Sequence, residues 1–152
     1  MGIFRFKKFE VVNERSAMKV NTDGVLLGAA MTILPSDRTM LDVGTGTGTI
    51  ALMAAQRLSS VILNSSSVIL NEVKNPRIDA IDIDEASASE ASANFINSPW
   101  NSILKAHHLP LEEFAASAET VYDLIFSNPP YFEDSLTAPD ERKSTARHTS
   151  DG

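Results

Sequence analysis

The chain has 152 residues, 43% of them hydrophobic, and a formal net charge of −7, which suits one domain with a real core. No apolar run approaches the ~20 residues a membrane-spanning helix needs, and the N-terminus lacks a signal-peptide core, so a cytoplasmic protein with no membrane partner is expected. With no cysteine, disulfides and thiolate metal sites are excluded and no metal is expected. The surplus acid weighs against a nucleic-acid partner. Residues 1–20 soften this: they hold five bases (Arg5, Lys7, Lys8, Arg15, Lys19) against two acids (Glu10, Glu14), a basic rim that could meet phosphates.

Phe4 to Val12 alternates around Lys7-Lys8 and predicts a small hairpin. Thr22 is a candidate cap for a helix from Asp23 to about Leu34, ended by Pro35. A first strand is expected over Thr39–Val43 and a helix over Thr49–Leu58. A second strand is expected over Ile78–Asp82, then a helix over Glu85–Asn97 that Pro99 ends. Third and fourth strands are expected over Ser102–His107 and Tyr122–Ser127. Alternating strand and helix predicts a parallel α/β sheet that binds ligands at the carboxyl ends of its strands. Between Arg57 and Ile78 the pattern breaks, because Ser59-Ser60-Val61-Ile62-Leu63-Asn64 recurs as Ser66-Ser67-Val68-Ile69-Leu70-Asn71. Gly44 and Asp82 are also about 18 residues further apart than the ~20 usual between a glycine loop and its ribose acid. Residues 59–76 are therefore read as an insertion, with β-branched content that suits a protruding hairpin.

Met40-Leu41-Asp42-Val43-Gly44-Thr45-Gly46-Thr47-Gly48 runs from strand into glycine loop, allowing a tight turn and close backbone approach to a ligand. The spacing is Gly-x-Gly-x-Gly, not the Gly-x-Gly-x-x-Gly of dinucleotide folds. Asp42 would repel a pyrophosphate but can orient the amino group of an aminoacyl moiety. Asp82, ending the next strand, is placed to take ribose hydroxyls. A nucleoside with an amino-acid tail is S-adenosylmethionine, the expected cofactor. The fourth strand must stop at Asn128-Pro129-Pro130-Tyr131, because two prolines cannot continue a ladder. Asn128 and a carbonyl of the turn can accept both hydrogens of an NH2 group, and Tyr131 can stack on a planar ring. Asn-Pro and Pro-Pro are also ordinary loop punctuation. It is the ordered set of glycine loop, acid and Asn-Pro-Pro-Tyr that carries the reading.

At these motifs the chain resembles the class I, Rossmann-like methyltransferases of the bacterial valine-tRNA (adenine-37) N6-methyltransferase group. The resemblance extends to Phe4-Arg5-Phe6-Lys7-Lys8-Phe9 and to the segment from Met18 to Ala29, which separates this group from other Asn-Pro-Pro-Tyr enzymes. It implies N6-methylation of an adenine beside the anticodon of tRNA, the base flipped into the site. Asn128, Pro129, Pro130 and Tyr131 would be catalytic. Asp42, Gly44, Gly46, Gly48, Asp82, Ile83 and Asn128 would bind cofactor, with Lys19, Asn21, Thr22 and Asp23 near its methionine end. A polar residue common in the family after the third strand is replaced here by His107-His108-Leu109-Pro110-Leu111, without an acid. A complete fold of this kind has seven strands, and only the mostly polar residues 132–152 follow Asn-Pro-Pro-Tyr here. The expectation is a single domain over 1–152 lacking the last three strands, with a disordered tail over 133–152. The fourth strand would then be an open edge able to pair with another copy. Two alternatives stand beside this reading: transfer to another planar nitrogen, such as a protein glutamine amide, and an inactive cofactor-binding fragment.

Overall fold

Among the described residues, apolar strands alternating with helices assemble into two β-sheets, the larger of them parallel. The computed structural model describes residues 2–64 and 75–130. β1 (Ile3–Arg5) and β2 (Glu10–Val12) form an antiparallel hairpin, and α1 (Thr22–Ala30) follows. Then come β3 (Thr39–Val43), α2 (Thr49–Asn64), β4 (Arg77–Asp82), α3 (Glu85–Ile96), β5 (Leu104–His108), α4 (Leu111–Ser117) and β6 (Leu124–Ser127). The main sheet has the order β5-β4-β3-β6 with every pair parallel. The expected Rossmann-like α/β sheet and its N-terminal hairpin are both present.

Strand alternation sorts the core into two layers. Met40, Ile78, Ala80 and Phe126 face one side, where Leu52, Ala55 and Leu58 of α2 and Ala91 and Phe95 of α3 cover them. Phe9 and Val11 of the hairpin close this layer. Each fully buried large side chain here contributes about 1.5–3 kcal/mol. Leu41 and Ile81 face the other side, where Phe114 of α4 packs with Val43, Leu109 and Tyr122. Asp79 points into this thinner layer. It is wholly buried and receives the Tyr122 hydroxyl (2.7 Å), the Arg77 guanidinium (2.8 Å) and the His107 ring (2.9 Å).

Several boundaries differ from expectation. Asn21, not Thr22, caps α1: its Oδ1 accepts from the Gly24 amide at 2.9 Å. The helix ends at Ala30 rather than near Leu34, because the Asp37 carboxylate takes the Leu34 amide into a turn (2.8 Å). Ser59–Asn64 is not an arm of a hairpin but the last part of α2, since Leu58 and Ile62 continue the helix's apolar stripe onto the core. The second copy of the repeat falls outside the described residues, as do Tyr131 and the tail over 133–152. α4 is an element the sequence did not announce. Among the described residues β6 pairs only with β3, leaving Ile125 59% exposed.

Candidate active site

The carboxyl ends of β3, β4 and β6 meet in one cleft, as a parallel α/β sheet requires. The loop after β3 turns back through three glycines at φ of 73°, 58° and 85° (Gly44, Gly46, Gly48), a region other residues enter only with strain. The turn is held from below: the amides of Gly44 and Thr45 both donate to the Ile81 carbonyl, at 2.9 and 3.0 Å. Asp82 holds it from the side, its Oδ2 accepting the Gly46 amide and its Oδ1 the Asp84 amide, both at 2.9 Å. Asp84 in turn caps α3 through Ser87. Burial raises the Asp82 pKa above the usual carboxylate range, against the pull of the Asp84 and Gly46 amides.

Asp42 sits behind this loop and is 1% exposed. Its Oδ2 accepts the Thr45 hydroxyl at 2.8 Å, while its Oδ1 has no hydrogen-bond partner. Burial is the chief cause that pushes its pKa up to about 7; the Thr45 bond opposes this and the Asp82 charge adds to it. A buried carboxylate oxygen without a donor costs stability, and a nearby positive charge would relieve it.

Above the loop, Gly44, Gly46, Asp82, Ile83 and Asn128-Pro129-Pro130 line one open cleft. Ala17, Met18, Ser87, Leu109, Leu111, Glu112 and Ser127 complete its walls. A smaller recess opens beside it between Lys19, Asn21, Gly24, the glycine loop and Asn128. Asn128 thus stands at both. It needs Gly24 to be small, since a Cβ there would lie 3.2 Å from Asn128 Nδ2.

The structure therefore brings together Lys19, Asn21, Gly44, Gly46, Asp82, Ile83, Asn128, Pro129 and Pro130. Thr22 and Asp23 are exposed on the first turn of α1 and line neither space. Gly48 also lies outside the lining; a Cβ there would meet Phe95 Cε1 at 2.6 Å, so this glycine serves packing. The walls from Leu109 to Glu112 went unforeseen because α4 did. Ser87 had a legible signal, three residues after the capping Asp84.

The donor set fits a nucleoside carrying a charged amino-acid tail. There is open space over Gly44, where a Cβ would meet nothing within 4 Å. Apolar walls adjoin a carboxylate at Asp82, while Asp42, buried behind the loop, lines neither space. Among the described residues no group of His, Cys, Asp or Glu converges to hold a metal, and no helix is long and apolar enough to cross a membrane.

A Rossmann-like sheet with a glycine-loop cleft and an Asn-Pro-Pro corner defines the class. No family model matches the chain. In sequence it is related to the bacterial tRNA1(Val) (adenine(37)-N6)-methyltransferases. It is 43% identical over 148 residues to that of Serratia proteamaculans, covering 97% of this chain and 51% of the relative. It is 44% identical over 146 residues to that of Parabacteroides distasonis, covering 96% and 54%. The chain spans about half the length of the curated relatives it matches. Among solved structures, a Bacillus cereus O-methyltransferase in complex with SAH aligns with TM-score 0.49 at 17% identity, over 75% of this chain and 47% of that one. The N-terminal domain of human METTL16 in complex with SAH aligns with TM-score 0.45 at 18% identity, over 84% and 45%.

Proposed function

We propose that this chain carries the S-adenosylmethionine cleft and the base-gripping corner of an enzyme that methylates N6 of an adenine beside the anticodon of tRNA. One observation carries the reading: Asn128-Pro129-Pro130 ends β6 in the same cleft that the glycine loop, Asp82 and Ile83 line. The names of the relatives and their similarity along nearly all of this chain support the adenine acceptor over a glutamine amide.

Asp82 and Ile83 would hold the nucleoside of the cofactor, the first by hydrogen bonds to the ribose and the second by packing on adenine. Lys19, Asn21, Gly44 and Gly46 would surround the amino-acid end, with Asp42 behind them as the buried counter-charge. Thr22 and Asp23 would act on that end through the start of α1. When bound, S-adenosylmethionine supplies an electrophilic methyl group. The chain itself aligns and polarises the acceptor.

An adenine amino group is a poor nucleophile because its lone pair is delocalised into the ring. Asn128 Oδ1 accepts one of its N–H bonds and the Pro129 carbonyl the other, drawing the lone pair back onto nitrogen. These acceptors are fixed in place before the reaction and stabilise the positive charge that develops there. The nitrogen would gain the methyl group as the methyl–sulfur bond breaks, with the thioether S-adenosylhomocysteine as leaving group, and would release its proton to solvent, so no strong base is required. The adenine must leave its stack to reach this corner, and Tyr131 is the ring proposed to receive it.

The test is methyl transfer from labelled S-adenosylmethionine to tRNA with an unmodified adenine at the target position. Wild-type transfer to that adenine, abolished by Asn128→Ala with cofactor binding largely retained, is the expected result. Transfer at the wild-type rate by Asn128→Ala, or to a different acceptor, overturns the assignment.

A further inference from the structure

The segment from Asn13 to Val20 belongs to neither helix nor strand, yet Ala17 and Met18 wall the main cleft and Met18, Lys19 and Val20 the recess beside it. It also touches the glycine loop: a Cβ at Gly46 would lie 3.3 Å from Ser16 Oγ and 3.7 Å from the Met18 carbonyl. An irregular strap of this kind has no ladder of its own to set its position.

What sets it is one face of α3. Ser87, Glu90 and Asn94 recur at i, i+3 and i+7, which places them on one face of a helix, and all three are buried. Asn94 takes the Val12 amide (2.8 Å) and donates to the Val12 carbonyl (3.0 Å) and the Thr47 carbonyl (2.8 Å), tying the strap's start to the glycine loop. Glu90 accepts three consecutive backbone amides: Glu14 (3.0 Å) and Arg15 (2.7 Å) on Oε2, and Ser16 (3.0 Å) on Oε1. Ser87 Oγ takes the next amide, Ala17, at 3.2 Å and meets Ser16 Oγ at 3.1 Å.

Glu90 is fully buried and also lies 3.9 Å from the Arg15 guanidinium, and a buried carboxylate is costly unless its oxygens are satisfied. Three charge-assisted bonds to successive amides fix a backbone path, and the path leads straight to the cleft wall. We propose that Glu90 is a positioning residue for the cofactor cleft: by holding the amides of residues 14–16 it places Ala17 and Met18 against the bound cofactor. This rests on the reading that the cleft takes S-adenosylmethionine.

The test is Glu90→Gln, which keeps size and one acceptor oxygen but turns an NH2 group toward an amide. Two quantities are read on the same protein: the affinity for S-adenosylhomocysteine by calorimetry, and amide hydrogen exchange at Glu14, Arg15 and Ser16 beside that of β3 and β4. The expected result is at least about 10-fold weaker binding and about 10-fold faster exchange at those three amides, with strand protection unchanged, for the loss of charge-assisted bonds. Faster exchange at the three amides with unchanged affinity overturns the proposal, making the contact structural only; unchanged exchange overturns it outright. If the variant fails to fold, wild-type exchange decides: the proposal requires S-adenosylhomocysteine to slow exchange at residues 14–16, and no slowing refutes it. A folded wild-type chain that binds no S-adenosylhomocysteine fails the cofactor reading itself. Slow exchange at the three amides would in that case leave the Glu90 clamp standing as structure alone.

Discussion

Replacing Asp42 by Asn should flatten the pH dependence of stability. The Asp42 carboxyl has an ordinary pKa of 3.8 and is pushed up to about 7 in the folded chain, chiefly by burial. A carboxyl that holds its proton more tightly when folded adds nothing against folding below the unfolded pKa. Its cost then grows by about 1.36 kcal/mol per pH unit as pH rises, and is complete above the folded pKa. Between 3.8 and about 7 that amounts to about 4 kcal/mol, an order-of-magnitude figure. Asn keeps an acceptor for the Thr45 hydroxyl but puts an NH2 group where Oδ1 has no partner, a cost of about 1–3 kcal/mol at every pH. Asp42→Asn should thus be the less stable protein near pH 4 and the more stable one near pH 8. Urea unfolding at intervals across that range reads the difference directly. Asp82, whose pKa is also raised, affects both proteins alike and largely cancels. Stability curves for the two proteins that run parallel from pH 4 to 8 would refute the argument, because a constant offset carries no proton linkage.

The two outer glycines of the loop should respond differently to alanine. Gly44→Ala should cost only the left-handed backbone penalty, about 1–2 kcal/mol, since a Cβ there meets nothing within 4 Å. Gly48→Ala should cost about 1–3 kcal/mol more, because its Cβ would strike the Phe95 ring at 2.6 Å; thermal melting compares them. Tyr122→Phe should cost about 1–2 kcal/mol by removing a donor from the buried Asp79, measured by chemical unfolding. Burial, the hydrogen bond to Asp79 and the Asp79 charge raise the Tyr122 pKa, so an ultraviolet titration should show one tyrosine ionising well above the usual range.

The strands at 39–43 and 124–127 and the site at their ends were legible because each is an apolar run closed by a residue that cannot continue it. Glycine closes the first and proline the other. α4 was not legible: seven residues offer only Leu111 and Phe114 as an apolar pair, too short a pattern to show a period. The end of α2 was misread because Val61 and Ile62 favour strands in isolation, while Ile62 four residues after Leu58 continues a helical stripe. Thr22 and Asn21 are both good caps, and only the geometry at Gly24 chooses between them. Glu90 by itself is an ordinary helix former. Its partners are backbone amides 74 to 76 residues earlier, and backbone partners leave no mark in a sequence.

The central claim is that the glycine loop and the Asn-Pro-Pro corner form one cofactor cleft. Titrating S-adenosylmethionine into the 15N-labelled chain tests it most directly, because NMR reports which amides feel the ligand. Saturable shifts at Gly44, Gly46, Ile83 and the Asn128 side-chain amide, with the β1–β2 hairpin tip unmoved, are the predicted result. A folded chain whose spectrum does not change, or one whose shifts fall on the hairpin and spare Gly46 and Asn128, would contradict it.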